Sequence, residues 1–193
     1  MPRVLGSIAL AVLVAPSAVA QAPAWWTRLQ SRPSLEAAFT QEGESAVFGK
    51  VTRRGRLVLA PGGRLRVAYE RGLLLVADGK RLVQYDPDTR SAQWLELTKA
   101  LGEAPLLTLL LDPAQVSRHF KVEAAAGRVK LIPKDKGLPV LEAEGAGAWP
   151  ERFTWTDATG ARQLLRLEHP KAATAGPDTF RFTPPAGTRW VKP

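Results

Sequence analysis

The sequence predicts a mainly β protein, in which a strongly curved antiparallel sheet is interrupted once by a helical segment. Short segments of alternating apolar and polar residues recur along the chain, and turn-forming Gly, Asp and Pro residues separate them. This pattern is typical of an antiparallel meander. About eleven strands are expected, and open sheets rarely exceed about ten strands without curling or closing. The one long apolar segment without the alternation, Glu103–Leu111, predicts a helix.

The clearest predicted element is a hairpin over Leu73–Pro87, with the sequence LLLVADGKRLVQYDP. Its dipeptide Asp78-Gly79 predicts a type I′ turn, which requires a positive φ at both central residues. The return strand is expected to end at Asp86-Pro87, because proline lacks the N–H group that a strand ladder needs. The first strand carries apolar residues on both faces. A hairpin of this kind needs cover on both sides.

Residues 1–20 have the features of a cleaved secretory signal. A basic start at Pro2-Arg3 precedes the apolar run Val4–Val14, and Ala18-Val19-Ala20 supplies a small-residue cleavage site before Gln21. The apolar run is too short to remain as a bilayer-spanning helix. We therefore expect an exported mature chain that forms a single domain over residues 21–193.

The start of the mature chain predicts a short amphipathic helix over Trp25–Gln30 and Leu35–Phe39, broken near Pro33. The pair Trp25-Trp26 is compatible either with closing the core or with an exposed, lipid-contacting position. Further strands are expected where the period of apolar residues is two. These strands are Val47-Phe48 with Val51, Arg56–Leu59, Leu65–Tyr69, Ala92–Leu97, Val129–Ile132, Val140–Ala143, Arg152–Trp155, Gln163–Leu167 and Thr179–Phe182.

The helical segment interrupts the run of strands near the middle of the chain. Pro105 suits the first turn of a helix, and leucines 106, 109 and 110 would share one helical face. A second short helix is expected over Ala114–Phe120, with Asp112 as its N-cap. The segment is compatible with an ordinary core helix lying on the sheet and with a lid over an apolar cavity. Small barrels either fill with their own side chains or hold one small ligand, so both interpretations stay open at this point.

The charge balance is basic, with 27 Lys and Arg against 18 Asp and Glu and a formal net charge of +9. Removal of residues 1–20 takes away Arg3 and no acid, which lowers that charge by one. The basic residues are scattered and do not alternate with aromatic residues as a nucleic-acid stacking surface requires. Nucleic acid is therefore not an expected partner. A solvated basic surface and a docking surface for an acidic partner both fit the charge.

The sequence lacks the motifs of the common enzyme classes. We find no nucleophile elbow, dinucleotide-binding loop, P-loop or H-E-x-x-H helix. Glu142 and Glu144 share one strand face, but that spacing is typical of an exposed polar edge. Cysteine is absent, which excludes thiolate chemistry and a lipid anchor. We expect a protein that is not an enzyme and that uses neither a metal nor a cofactor.

Several stretches, taken in order, resemble the LolA family of periplasmic outer-membrane lipoprotein carriers. The hairpin segment LVADGKRLVQYDP resembles the family signature V-x-D-G-K-x-L-x-x-Y-x-P. Six further stretches match family segments in the same order and cover nearly all of residues 35–190. They are Phe39-Thr40-Gln41, Gly62-Gly63-Arg64-Leu65-Arg66, Pro105-Leu106-Leu107, Leu131-Ile132-Pro133-Lys134, Asp157-Ala158-Thr159-Gly160 and the terminal FRFTPPAG.

The resemblance implies an unclosed β-barrel with helices as a lid, around an apolar cavity for the acyl chains of lipoproteins. It also implies a monomeric periplasmic protein that works without a cofactor. The partners it implies are acylated lipoproteins and an inner-membrane ABC transporter that releases them. An acceptor lipoprotein in the outer membrane, or that membrane itself, would then receive the cargo.

The resemblance and the apolar alternation together indicate a candidate cavity lining of Leu57, Leu59, Leu65, Val67, Leu75, Trp94, Leu106, Leu109 and Leu110. Glutamate at position 106 or 109 is expected to lower acyl binding and to leave the fold intact. Family members carry a basic latch residue before the proline of the P-G-R segment, and this chain has Ala60 there. The latch candidates are therefore Arg64 and Arg66. Val67 stands where many members have tryptophan.

Two alternatives fit the same sequence features. A related exported protein could carry another lipid, such as a glycolipid or a pigment precursor. A regulatory module could sense lipoproteins through the same fold, although such a module would usually have an additional partner-binding domain. The nature of the cargo, rather than the sequence, separates the first alternative from a lipoprotein carrier.

Overall fold

The computed structural model describes residues 22–31, 33–45 and 49–191. The expected signal segment and the Val47-Phe48 part of an expected strand lie outside these residues. No helix within them combines the length and the apolar character needed to cross a bilayer.

Strands are the main regular structure of the described chain, as the alternation pattern predicted. The strands are β1 (Leu35–Ser45), β2 (Gly49–Ala60), β3 (Arg64–Tyr69), β4 (Leu74–Asp78), β5 (Arg81–Asp86), β6 (Ser91–Glu96), β7 (Phe120–Ala125), β8 (Arg128–Pro133), β9 (Leu141–Glu144), β10 (Arg152–Thr156), β11 (Arg162–Ala172) and β12 (Arg189–Trp190). The helices are α1 (Ala24–Gln30), α2 (Leu97–Glu103), α3 (Pro105–Leu111) and α4 (Val116–His119), with 3-10 helices at Pro113–Gln115 and Pro177–Phe180.

These strands form one sheet, in the order β12-β6-β5-β4-β3-β2-β1-β11-β10-β9-β8-β7. Neighbouring strands are antiparallel except β12, which pairs with β6 in parallel. The two halves of the chain meet where β1 pairs with β11, for example at Phe39 and Leu167. Within the described residues, β7 and β12 are the two edges of the sheet and do not pair with each other. The predicted fold, a mainly β unclosed barrel with helices, is confirmed.

Three predictions of local structure are wrong. Leu35–Phe39 is not helical, because β1 begins at Leu35 and pairs along its length with both β2 and β11. The segment Thr179–Phe182 is not a strand, since the 3-10 helix Pro177–Phe180 occupies its first half. The predicted strand Ala92–Leu97 ends one residue earlier, because helix α2, which the sequence does not predict, begins at Leu97.

The central hairpin forms as predicted, with β4 paired to β5 through Val76 and Val83. Its turn is not type I′, because only Gly79 has a positive φ, of 98°. The Asp78 carboxylate instead accepts hydrogen bonds from the backbone N–H groups of Lys80 and Arg81, both at 2.8 Å. These two bonds hold the turn closed and help to lower the pKa of Asp78, against the opposing effect of partial burial.

The inner face of the sheet carries the helices and the main core. Residues that pair across the strands share a face, and the set Leu57, Val67 and Leu75 is in register across β2, β3 and β4. Leu59, Leu65 and Ala77 form the next inner row and are buried against Leu97, Ala100 and Leu109 of the helices. Trp25 of α1 is fully buried in this core, and Trp26 packs edge-on against it. Of the two interpretations of the tryptophan pair, the core closure is the one seen.

The outer face of β3–β6 is covered by the C-terminal segment. Phe180 is buried and lies under the guanidinium of Arg64, and Phe182 contacts both Tyr85 and Trp190 through their rings. This segment leaves β11 near the middle of the sheet and ends beside β6. It supplies the second cover that the doubly apolar hairpin requires.

Gly55 on β2 is a position at which any side chain would be destabilising. A Cβ atom there would lie 2.7 Å from the Cζ atom of Phe39 and would also meet the backbone oxygen of Ala68. We expect Gly55→Ala to lower the free energy of unfolding by at least about 1–3 kcal/mol, the usual cost of overpacking. Urea unfolding of Gly176→Ala, where the added methyl meets open space at an ordinary φ, is the matched control. Equal midpoints for the two variants would contradict the close approach.

Candidate functional site

The candidate site is an apolar cavity of about 160 Å³ between the inner face of the sheet and helix α3. Its floor comes from strands β1–β4, β10 and β11, and its roof comes from three leucines of α3. The lining residues are Phe39, Gln41, Leu57, Leu65, Val67, Tyr69, Leu75, Leu106, Leu107, Leu110, Trp155 and Leu165.

Every residue of helix α3 except Thr108 is apolar, and the helix contacts both the core and the cavity. Pro105 begins it, where the missing N–H has no helical partner to lose. Leu109 and Leu111 are buried in the core. Leu106, Leu107 and Leu110 are half-buried and line the cavity. The two interpretations of this segment, a core helix and a lid, are therefore compatible, since α3 contributes both to the core and to the roof of the cavity.

The junction between α2 and α3 is held by a buried hydroxyl. Thr108 is fully buried, and its Oγ1 donates to the backbone oxygens of Leu101 and Ala104, the latter at 3.1 Å. A buried hydroxyl without such partners would be costly. These bonds tie the end of α2 to the middle of α3, so the two helices are joined by more than their linking residue.

The structure brings most of the predicted lining residues together. Leu57, Leu65, Val67, Leu75, Leu106 and Leu110 all border the cavity. Leu59 and Leu109 lie in the core beside it, exposed by 3% and 0%. Trp94 does not belong to the set, because it points to the outer face, is 37% exposed and lies under the Arg81 guanidinium at 4.5 Å. Its strand partner Val83 pairs with Val76 on that same outer face.

The candidate lining set predicted from the sequence does not include six of the lining residues, namely Phe39, Gln41, Tyr69, Leu107, Trp155 and Leu165. Tyr69 shares its face with Val67 and could have been found from the period of two. Phe39 and Leu165 line the cavity only because β1 pairs with β11, and these strands are far apart in the chain. No local pattern reports such a pairing.

The latch candidates Arg64 and Arg66 lie on the wrong face for that role. Both alternate with the inward-pointing Leu65 and therefore project to the outer side of β3. Arg64 Nε donates to the backbone oxygen of Pro61 at 2.8 Å, and its guanidinium lies over Phe180. Arg66 donates to the backbone oxygen of Thr179 at 3.3 Å. The two arginines hold the C-terminal segment rather than helix α3.

Two neighbouring spaces adjoin the cavity. An apolar cleft of about 380 Å³ shares Leu106, Leu107 and Trp155 with it and extends past Leu138 and Pro139. A space of about 300 Å³, which we term the vestibule, has polar side chains at five of its nine lining positions and shares Gln41 with the cavity. The vestibule is lined by Gln41, Gly43, Gly49, Val51, Arg53, Asp157, Thr159, Ala161 and Gln163. The cavity thus has an apolar neighbour at one side and a polar neighbour at another.

A chain of hydrogen bonds runs from the cavity into the vestibule. The Tyr69 hydroxyl donates to Gln41 Oε1 at 2.9 Å, Gln41 Nε2 donates to Gln163 Oε1 at 3.2 Å, and Gln163 Nε2 donates to Asp157 Oδ2 at 2.8 Å. The hydroxyl of Thr159 is the main cause that holds the pKa of Asp157 below its usual range. Burial raises the pKa of Tyr69, against a smaller opposing effect of Arg53. At neutral pH the chain therefore begins at a protonated phenol and ends at a carboxylate.

The chemistry available in the cavity is apolar contact and neutral hydrogen bonding. Tyr69 is the one titratable side chain among the described residues that line it. In the described part of the chain, no group of three or more His, Asp or Glu side chains is placed to hold a metal ion. Glu142 and Glu144 are ion-paired on the outer face, with Lys130 at 3.7 Å and with Arg128 at 3.1 Å.

A wider depression on the surface of the described residues is a different feature. It has about 800 Å³ and lies on the outer face of the other half of the sheet, around Arg128, Glu144, Arg152 and Arg166. Its charged residues pair with one another, as Arg152 does with Glu144 at 3.7 Å. It lacks the apolar lining of the cavity under α3, which remains the candidate site.

The curved sheet, the roofing helix and the apolar space between them place this molecule among unclosed β-barrels with an internal apolar cavity. The chain belongs to the LolA family, since the family model described as outer membrane lipoprotein carrier protein LolA matches residues 30–183. The family resemblance seen in the sequence is thereby confirmed.

Curated relatives agree with this assignment, and a solved structure shares the fold. The chain is 29% identical to an outer-membrane lipoprotein carrier protein of Bordetella pertussis, over 95% of both chains. It is 31% identical to one from Xanthomonas axonopodis pv. citri, over 72% of this chain and 71% of the relative. An uncharacterized conserved protein from Thermus thermophilus has a similar fold, with a TM-score of 0.52 and 16% identity over 87% of this chain and 95% of that one.

Proposed function

We propose that this protein is a periplasmic carrier that binds the acyl chains of lipoproteins in the cavity under α3. It receives them from an inner-membrane ABC transporter and delivers them to the outer membrane or to an acceptor lipoprotein there. The lipoprotein cargo is supported by the family and by the names of the relatives. The transporter and the acceptor follow from the resemblance of the sequence to this family.

The observation that carries the proposal is the apolar cavity and its roof of half-buried leucines. Leu106, Leu107 and Leu110 face an apolar space rather than filling it. Each acyl CH₂ group that leaves water for such a surface contributes about 0.8 kcal/mol. A site of this kind recognises hydrocarbon without a cofactor and without a chemical reaction.

The cavity as it stands is too small for an acyl chain of a lipoprotein. A cavity of about 150 Å³ holds a molecule of the size of benzene, and the present one has about 160 Å³. An acyl chain of a lipoprotein is several times longer than a benzene molecule. Binding therefore requires α3 to move away from the sheet, and the adjoining apolar cleft between Leu106 and Pro139 supplies space on the side to which the chains can extend.

Native mass spectrometry of the chain from Gln21 to the C-terminus, with and without a triacylated lipopeptide, tests the proposal. We expect saturable binding of one lipopeptide, with displacement of an apolar dye. Binding of a diacyl glycolipid but not of the lipopeptide would replace the proposal with the carrier of another lipid. No acyl binding at all would mean that the cavity is only a packing defect.

A further inference from the structure

The vestibule differs from the cavity in the kind of group that it offers to a ligand. Gln41 borders both spaces, whereas Gln163, Arg53 and Asp157 line the vestibule and not the cavity. A hydrocarbon chain that fills the cavity and leaves it past Gln41 enters this polar space. Whatever joins the hydrocarbon to the rest of the ligand is then placed among these side chains.

The hydrogen-bond chain fixes which way the two glutamine amides point. The Oε1 atom of Gln41 accepts from Tyr69, and that of Gln163 accepts from Gln41. Both amide oxygens thus accept hydrogen bonds within this series. A glutamine amide nitrogen carries two hydrogens, and the chain uses one of each. The vestibule therefore offers N–H donors next to the cavity, and Arg53 adds a guanidinium.

Asp157, at the far end of the hydrogen-bond chain, keeps the two glutamine amides in this orientation. The Asp157 carboxylate accepts from Thr159 Oγ1 at 2.6 Å and from the backbone N–H of Ala161 at 3.1 Å, in addition to Gln163. An acceptor held in this way prevents the amide of Gln163 from turning its oxygen toward Asp157. The same carboxylate disfavours a second negative charge in the vestibule.

We propose that Gln41 and Gln163 form a subsite for the ester carbonyl oxygens that join acyl chains to the polar part of the cargo. An ester carbonyl accepts hydrogen bonds and donates none, which matches a space that presents amide N–H groups. The subsite places the ester linkages at Gln41 and directs the hydrocarbon inward past Leu57 and Leu65. This inference rests on the proposed function, because it concerns the same cavity and an acylated ligand.

The test compares two probes that differ only at the ester groups. One is a peptide whose N-terminal cysteine carries a dipalmitoylglyceryl thioether, and the other is its dihexadecyl ether counterpart, in which the two carbonyl groups are replaced by CH₂. Their affinities are measured by calorimetry for the parent chain and for Gln163→Leu. The control is Arg162→Leu, whose side chain is exposed on the opposite face of the same strand.

We expect the parent chain to bind the ester probe about five- to tenfold more tightly than the ether probe, the effect of one or two net hydrogen bonds. Gln163→Leu should lose that preference and should bind the ether probe as the parent does, which also shows that the variant is folded. Arg162→Leu should keep the preference. Equal affinities of the parent for both probes would overturn the inference and leave the proposed function intact.

Two further outcomes are decisive. If Gln163→Leu lowers the affinity for both probes by the same factor, Gln163 supports the fold of the vestibule and does not contact the ester. Binding of neither probe by the parent chain would remove the proposed function, and the ester subsite with it.

Discussion

Replacement of Leu106 by glutamate is expected to abolish most acyl binding while the protein stays folded. Leu106 is half-buried and lines both the cavity and the apolar cleft beside it. A glutamate there can reach water through the cleft in the free protein. With an acyl chain bound, its carboxylate would lose that water and the chain would lose the apolar contact of leucine, a change of about 1.5–3 kcal/mol from the contact alone.

The expected result is a fall of at least about tenfold in affinity for the triacylated lipopeptide, measured by dye displacement. Thr98→Glu on α2 is the matched control, because it adds the same charge at an exposed position of the neighbouring helix. It should bind as the parent chain does. Parent-like binding by Leu106→Glu would show that this side of α3 does not face the lipid.

Replacement of Leu109 by glutamate is expected to unfold the protein. The sequence suggested that positions 106 and 109 would behave alike, but Leu109 is 0% exposed and belongs to the main core with Leu59 and Val116. A carboxylate at this position has no route to water and no partner among these apolar side chains. The loss should exceed about 4 kcal/mol, a large part of the roughly 5–15 kcal/mol that holds a typical domain together.

Urea unfolding followed by near-ultraviolet circular dichroism measures this effect. Leu109→Met, which nearly conserves the volume, is the control and should cost less than about 1.5 kcal/mol. A cooperative unfolding transition of Leu109→Glu close to that of the parent would place Leu109 at the surface of the cavity rather than in the core. The two glutamate variants, three residues apart on α3, thus separate binding from folding.

The elements that local chemistry determines were predictable from the sequence. The central hairpin follows from its apolar alternation and from Asp78-Gly79, although the Asp78 carboxylate closes the turn in another way than expected. Helix α3 follows from Pro105 and from the loss of alternation in the leucine run. The family resemblance led to the correct overall fold, because the order of several weak motifs carries more information than any one of them.

The features that the sequence did not predict depend on long-range pairing. Leu35–Phe39 resembles a helix locally, and the pairing of Leu35 with both Leu59 and Ala172 makes it a strand. The inner or outer direction of each strand face was also undetermined, which explains the misplacement of Trp94. The latch candidates Arg64 and Arg66 came from the family resemblance, although they alternate with the cavity residues Leu65 and Val67. A period of two defines two faces but does not say which of them meets the core.

The position of the helices in the chain has a mechanical consequence for the sheet. Helices α2–α4 connect β6, which is second from one edge, to β7, which is the opposite edge. The helical segment therefore links the two ends of the unclosed sheet. Its packed length limits how far β6 and β7 can separate. Release of α3 from the inner face would lengthen this link and allow the unclosed barrel to widen. Volume for cargo would then come from the relaxation of the whole sheet as well as from the space that the helix vacates.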